Sequence, residues 1–209
     1  MATESSVRNS QLWAQDHPLP FGSKAPAFEL LEPATGRKWR STDLDRTDVL
    51  AVYFICNHCP HSLAWEDRLL AIARDFSDSV SSVFIDPSDP VRLLPDGGPA
   101  FPEDAPENVA AHAREKHFPA PYLVDPDQTV ADDYAAVRTP HAFVFTRAAG
   151  LVYRGTVDDN EEDPSAVTTH YLRDALEDAA AGRSVRTPET PLQGCGIKRS
   201  ADQYPGKRG

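Results

Sequence analysis

Asp48-Val-Leu-Ala-Val-Tyr-Phe-Ile-Cys-Asn-His-Cys-Pro60 is the stretch on which the fold turns. Its first eight residues are almost continuously apolar and rich in β-branched and aromatic side chains. That composition predicts a strand buried on both faces, as in a sheet with parallel neighbours. Pro60 then suits the first turn of a helix, where its missing N–H costs nothing. Leu63, Leu69, Leu70, Ile72, Ala73 and Phe76 follow at a spacing that puts them on one buried stripe. Cys56 and Cys59 thus flank a strand-to-helix junction. Two cysteines three apart there can close a small disulfide. Unpaired N–H groups and the helix dipole also favour a thiolate on the sulfur that faces solvent.

Outward from this junction the elements alternate. Residues 1–20 are polar, with a short helix predicted around Ser10–Gln15. Ala27–Leu31 and Arg37–Arg40 form a hairpin through Pro33-Ala-Thr-Gly36. Ser82–Ile85 is the next strand. Residues 86–105 are an insertion rich in Pro, Gly and Asp, longer than an ordinary connection. A helix over Pro106–His117, a strand over Pro121–Val124 and a helix over Gln128–Ala136 come next. Ala142–Thr146 and Leu151–Gly155 make a second hairpin about Ala148-Ala-Gly150. Ser165–Ala181 is the last helix, with Gly182 at its C-terminal cap. Residues 183–209 read as a tail lying on the surface. The expected organisation is an extension (1–20), one domain (21–182, with the 86–105 insertion) and a tail (183–209). The order predicts an α/β fold: a mixed central sheet with helices on both faces.

The 209 residues carry a net charge of −11. Such a surface repels nucleic acid and anionic membranes, so neither is expected as a partner. No run approaches the ~20 apolar residues of a membrane helix. The N-terminus shows no basic segment followed by an apolar core, so the expected compartment is the cytoplasm. In that reducing setting three cysteines are catalytic, metal-binding or incidental rather than a disulfide scaffold. A zinc site would need four ligands. One further cysteine, with His58, His61 and His141, supplies no second CxxC or HxxxH, so no metal is expected. Asp158–Asp163 lacks calcium-loop spacing and reads as a solvated acidic cap on the last helix.

Three further positions carry the chemistry. His58, between the cysteines, stabilises a neighbouring thiolate when protonated; the bland reading is a solvated loop residue. Moving a thiol from ~8.5 to ~7 raises its ionised fraction at neutral pH from roughly 3% to about half. Nucleophilicity falls about fivefold at a Brønsted slope of ~0.45, so the larger consequence is a more oxidising disulfide. Thr139-Pro140 precedes a strand, and proline is the one residue whose preceding bond is readily cis. A cis bond there exposes backbone groups able to pair with an extended peptide. Cys195, between two glycines on the tail, is either a resolving thiol or a spare surface residue.

The chain resembles the thioredoxin superfamily, and more narrowly its redoxin branch of peroxiredoxin-like proteins related to the alkyl hydroperoxide reductase/thiol-specific antioxidant family. The resemblance runs over residues 20–198. It rests on G-S-K-A-P-A-F-E-L at 22–30, F-I-C-N-H-C-P at 54–60, F-P-E-D-A-P-E at 101–107 and F-P-A-P-Y-L-V-D at 118–125. It continues through V-R-T-P-H-A-F-V-F at 137–145, L-V-Y-R-G-T-V-D-D-N at 151–160 and G-C-G-I-K at 194–198.

The resemblance implies a thioredoxin-like fold with an N-terminal hairpin, and a cis Pro140 packed against a redox-active Cys56–Cys59 pair. Cys56 would be the exposed nucleophile and Cys59 the resolving thiol, with Thr139, Pro140 and Arg138 on the substrate side. The implied partners are a disulfide-bearing protein, or a small thiol or peroxide substrate, and an external dithiol reductant; a homodimer is compatible. A peroxiredoxin reading instead makes Cys59 peroxidatic, with Cys56 or Cys195 resolving. Against it, Cys56 stands where that family's P-x-x-x-T/S-x-x-C motif has Thr or Ser, and Val52 where it has Pro. A redox sensor without turnover is a third reading. The chain also departs from thioredoxins: no Asp or Glu lies between Val49 and Cys59, so the buried carboxylate of that strand is missing.

Overall fold

The computed structural model describes residues 17–89 and 100–198. The short helix expected at Ser10–Gln15, the middle of the 86–105 insertion and the end of the tail lie outside them. In chain order the elements are β1 (Glu29–Glu32), β2 (Arg37–Arg40), β3 (Val49–Phe54), α1 (Pro60–Asp75), β4 (Val80–Asp86), α2 (Pro106–Glu115) and β5 (Tyr122–Val124). There follow α3 (Thr129–Asp133), β6 (Arg138–Thr139), β7 (His141–Thr146), β8 (Gly150–Gly155), α4 (Tyr171–Ala180) and β9 (Cys195–Gly196).

Seven strands make one mixed sheet in the order β2-β1-β5-β4-β3-β7-β8. β3 runs parallel to β4 on one side and antiparallel to β7 on the other. Its alternating side chains therefore enter two cores. Ala51 and Tyr53 face α1, α2 and α4, packing with Trp65, Leu69, Val109 and Leu176. Val52 and Phe54 face α3 and the N-terminal hairpin, packing with Phe28, Val130 and Tyr134. Burying a large apolar side chain contributes about 1.5–3 kcal/mol. This two-sided burial is why the strand reads as a continuous apolar run rather than an alternation. It also fixes where β3 ends, and so where Cys56 leaves the sheet.

The structure departs from the sequence reading at several ends. β4 starts two residues earlier than expected, because the Thr47 hydroxyl accepts from Ser81 N at 2.9 Å and lies 3.1 Å from Ser81 Oγ, satisfying a serine that reads as non-strand. The last helix begins at Tyr171. Pro164–Ala166 is a separate 3-10 turn, and the following residues stay extended, with Thr169 O accepting from Asp159 N. α3 is only five residues long, bounded by left-handed Gln128 and Ala135. The tail is tied down where the sequence read a surface segment: Ile197 is buried in the second core and Cys195–Gly196 forms a strand.

Candidate active site

The end of β3, the start of α1 and the Thr139-Pro140 bond meet at one edge of the sheet. The Thr139–Pro140 peptide is cis. Cys56 Sγ lies 3.2 Å from the Thr139 hydroxyl, and the Cys59 thiol reaches the Thr139 carbonyl at 3.1 Å. Both cysteines are free thiols. The expected exposure of the nucleophile is not found: Cys56 is 3% and Cys59 0% exposed. What opening there is leads to Cys56, which lines a narrow cleft with His58, Phe101, Thr139 and Ile197.

The helix N-terminus acts on a different sulfur from the one expected. Cys59, not Cys56, is the N-cap of α1. Its sulfur is met first by the Cys56 thiol, then by the Thr139 hydroxyl, the Cys195 thiol and the Ser62 backbone N–H, and these donors pull its pKa down despite burial. Cys56 moves the other way. Burial is the largest cause, followed by its own bond to Cys59 and the negative charges of Asp86 and Asp104. Ionisation is thus favoured at Cys59 and disfavoured at Cys56, and the two sulfurs titrate together rather than independently.

His58 is held rather than solvated. Its ring stacks on Phe101 with centroids 4.0 Å apart. Its Nδ1 is hydrogen-bonded to Asp104, whose other oxygen accepts from the backbone N–H groups of Asn57 (2.8 Å) and His58 (3.1 Å). That bond assigns the Nδ1–H tautomer and turns Nε2 toward Cys56 Sγ, 4.0 Å away. The arrangement is a thiol, an imidazole and a buried carboxylate in sequence, able to move a proton off or onto Cys56. The same three groups offer ligand atoms within 4.8 Å of one another. A metal bound by all three would have to displace the Asp104 contact that orients His58.

Asp104 and Phe101 come from the end of the 86–105 insertion, and sequence reasoning did not pick them out as site residues. The insertion's length was the available signal. A buried carboxylate does occur nearby, Asp86 at the end of the parallel neighbour β4, and its charge bears on Cys56. It is fully buried, and burial followed by the Asp104 charge pushes its carboxyl well above the usual range. The remaining expected site residues are also drawn together. Arg138 Nη1 donates to Gly194 O at 2.7 Å, and Thr139 pairs across β6–β9 with Cys195. The edge expected to receive a substrate is thus lined by the chain's own tail. His61, by contrast, pairs with Glu161. His141 is buried against Phe143 with neither ring nitrogen bonded.

A model of the AhpC/TSA family matches residues 21–157. The chain belongs to the AhpC/TSA family. Two solved structures are similar over most of this AhpC/TSA chain. An uncharacterized conserved protein from Geobacillus kaustophilus shares 35% identity over 88% of this chain and 95% of its own, with a TM-score of 0.78. A hypothetical protein from Sinorhizobium meliloti shares 32% over 88% and 97%, also at 0.78. The peroxidoxin BcpB from Mycobacterium tuberculosis shares the fold at 19% identity, over 78% of this chain and 95% of its own, with a TM-score of 0.51. No curated protein matches the chain. The fold is thioredoxin-like, and the family is one of redoxins. The family match ends before α4 and the tail, so Cys195 lies beyond it.

Proposed function

We propose that this redoxin is a thiol–disulfide oxidoreductase of the cytoplasm working through Cys56 and Cys59. The observation that carries the reading is the meeting of both sulfurs at the cis Thr139-Pro140 bond, with Cys56 on the open side and Cys59 behind it at the helix cap. Cys56 gives its proton to His58 Nε2 and its sulfur attacks one sulfur of a substrate disulfide. That S–S bond breaks, and the departing thiolate takes a proton. The Cys59 thiolate then attacks Cys56 Sγ, expelling the second substrate thiol and leaving Cys56–Cys59 oxidised. An external dithiol restores the pair. No metal or bound cofactor enters this scheme. Thr139, Pro140 and Arg138 form the wall beside the reacting sulfurs. Insulin disulfide reduction driven by dithiothreitol tests it: Cys56→Ser should abolish turnover, and full turnover by that variant would overturn the reading.

A second reading has a specific observation behind it. Cys59 is the sulfur with the lowered pKa and is followed by Pro60. These are the properties expected of a peroxidatic thiol. Peroxide consumption that persists in Cys56→Ser would favour it.

A further inference from the structure

Gly194–Lys198 is built against the redox centre like a bound peptide. β9 runs antiparallel to β6, with Cys195 opposite Thr139 and Gly196 opposite Arg138. Arg138 Nη1 holds Gly194 O, Val137 O accepts from Ile197 N at 3.1 Å, and Gln128 Nε2 donates to Lys198 O at 2.9 Å. Gly194 has φ +139, and a Cβ there would lie 2.4 Å from Thr139 O. Only glycine lets the backbone come this close. Ile197 is buried in the core and anchors the far end. The register sets Cys195 opposite Thr139, whose carbonyl accepts from Cys59, and the two sulfurs perturb each other: Cys195 helps to lower the Cys59 pKa, and Cys59 helps to raise that of Cys195.

We propose that Cys195 is a third working thiol, and that the tail strand is a tethered substrate that receives the disulfide from Cys56–Cys59 as Cys59–Cys195. This rests on the Cys56–Cys59 chemistry proposed above. Starting from the oxidised pair, Cys195 loses its proton and its sulfur attacks Cys59 Sγ. The Cys59–Cys195 bond forms and the Cys56–Cys59 bond breaks. Cys56 leaves as a thiolate and takes up, through solvent, the proton that Cys195 gives up. One disulfide is consumed and one is made, so no further oxidant is needed. The exchange returns Cys56, the sulfur facing the cleft, to its thiol form while the protein stays oxidised. While docked, the strand also denies the Arg138–Thr139 edge to any second extended peptide. A substrate disulfide must then reach Cys56 through the cleft or displace the tail.

The test is oxidation of the reduced, full-length protein with oxidised glutathione, followed by acid quenching, alkylation and mass-spectrometric mapping of the paired sulfurs. Wild type should yield both Cys56–Cys59 and Cys59–Cys195, and the second species needs no variant to fold. Cys56→Ser should close Cys59–Cys195 within one chain. Separate glutathione adducts on Cys59 and Cys195 in that variant, with no Cys59–Cys195 in wild type, would overturn the proposal. Cys195→Ser isolates the earlier reading. Its failure to close Cys56–Cys59 would refute the redox pair itself, whatever the tail does.

Discussion

Replacing Asp104 with Asn keeps the shape of the group that holds His58 and changes its sign. One oxygen accepts the Asn57 and His58 backbone N–H groups and can stay as the amide oxygen. The other, facing His58 Nδ1, becomes an NH2 that donates. His58 must then accept at Nδ1 and carry its proton on Nε2, pointing at Cys56. Two effects follow, and they have the same direction. A unit negative charge within 4.8 Å of the Cys56 sulfur is removed. At an effective dielectric of ~20 that charge acts with about 3.5 kcal/mol, a ceiling of about 2.5 pH units. A donor also replaces the acceptor next to the sulfur, which stabilises the thiolate further. The expected outcome is a fall of at least about one pH unit in the midpoint for Cys56 ionisation. The assay is the pH dependence of iodoacetamide alkylation in a Cys59→Ser, Cys195→Ser background, where Cys56 is the single thiol. An unchanged or higher midpoint in Asp104→Asn would refute the view that this carboxylate orients His58 and holds Cys56 protonated.

Thr139→Val removes the hydroxyl 3.2 Å from Cys56 Sγ. That bond is worth about 0.5–1.5 kcal/mol, so alkylation of Cys56 at a fixed pH should slow by about two- to tenfold. Gly194→Ala puts a methyl group against Thr139 O at a positive φ, which costs about 1–3 kcal/mol of local strain. The yield of Cys59–Cys195 in the oxidised protein should drop several-fold while Cys56–Cys59 still forms, and peptide mapping after partial oxidation reads both. His141 is fully buried, and burial lowers its pKa to about 3 from 6.5. The stability its neutral ring permits is complete above about pH 6.5 and is lost as pH falls toward 3. His141→Phe should flatten that acid-side loss in urea denaturation followed between those limits. A slope identical to wild type would show that another group carries it.

The parts of the fold that could be read in the sequence are those with a period or a mandatory residue. β3 is readable because burial on both faces leaves an unbroken apolar run, and α1 because Pro60 and one apolar stripe mark its start and side. The two hairpins follow from Gly36 and Gly150 at positive φ. The Thr139-Pro140 contact came from the resemblance, not from local signals. Other parts depend on distant partners and leave no local trace. Ser81 sits within a strand because Thr47, in a loop far away in sequence, satisfies it. Phe101 and Asp104 end a Pro/Gly-rich insertion whose composition says turn and nothing about which half-buried histidine it will hold. The spacing C-x-x-C does not say which cysteine caps the helix; with Pro60 as the first helical residue, that position falls to Cys59. The tail read as polar and irregular. Its docking depends on one glycine that permits close approach and one isoleucine that reaches the core.

The proposed redox pair interconverts between two thiols and one Cys56–Cys59 disulfide. Equilibrating the Cys195→Ser protein across dithiothreitol redox buffers, with trapped samples counted by mass, measures this directly. A single two-electron transition between the dithiol and an intramolecular Cys56–Cys59 bond is expected. Two thiols that stay free across the whole range, or that take up reagent separately without ever joining, would contradict it.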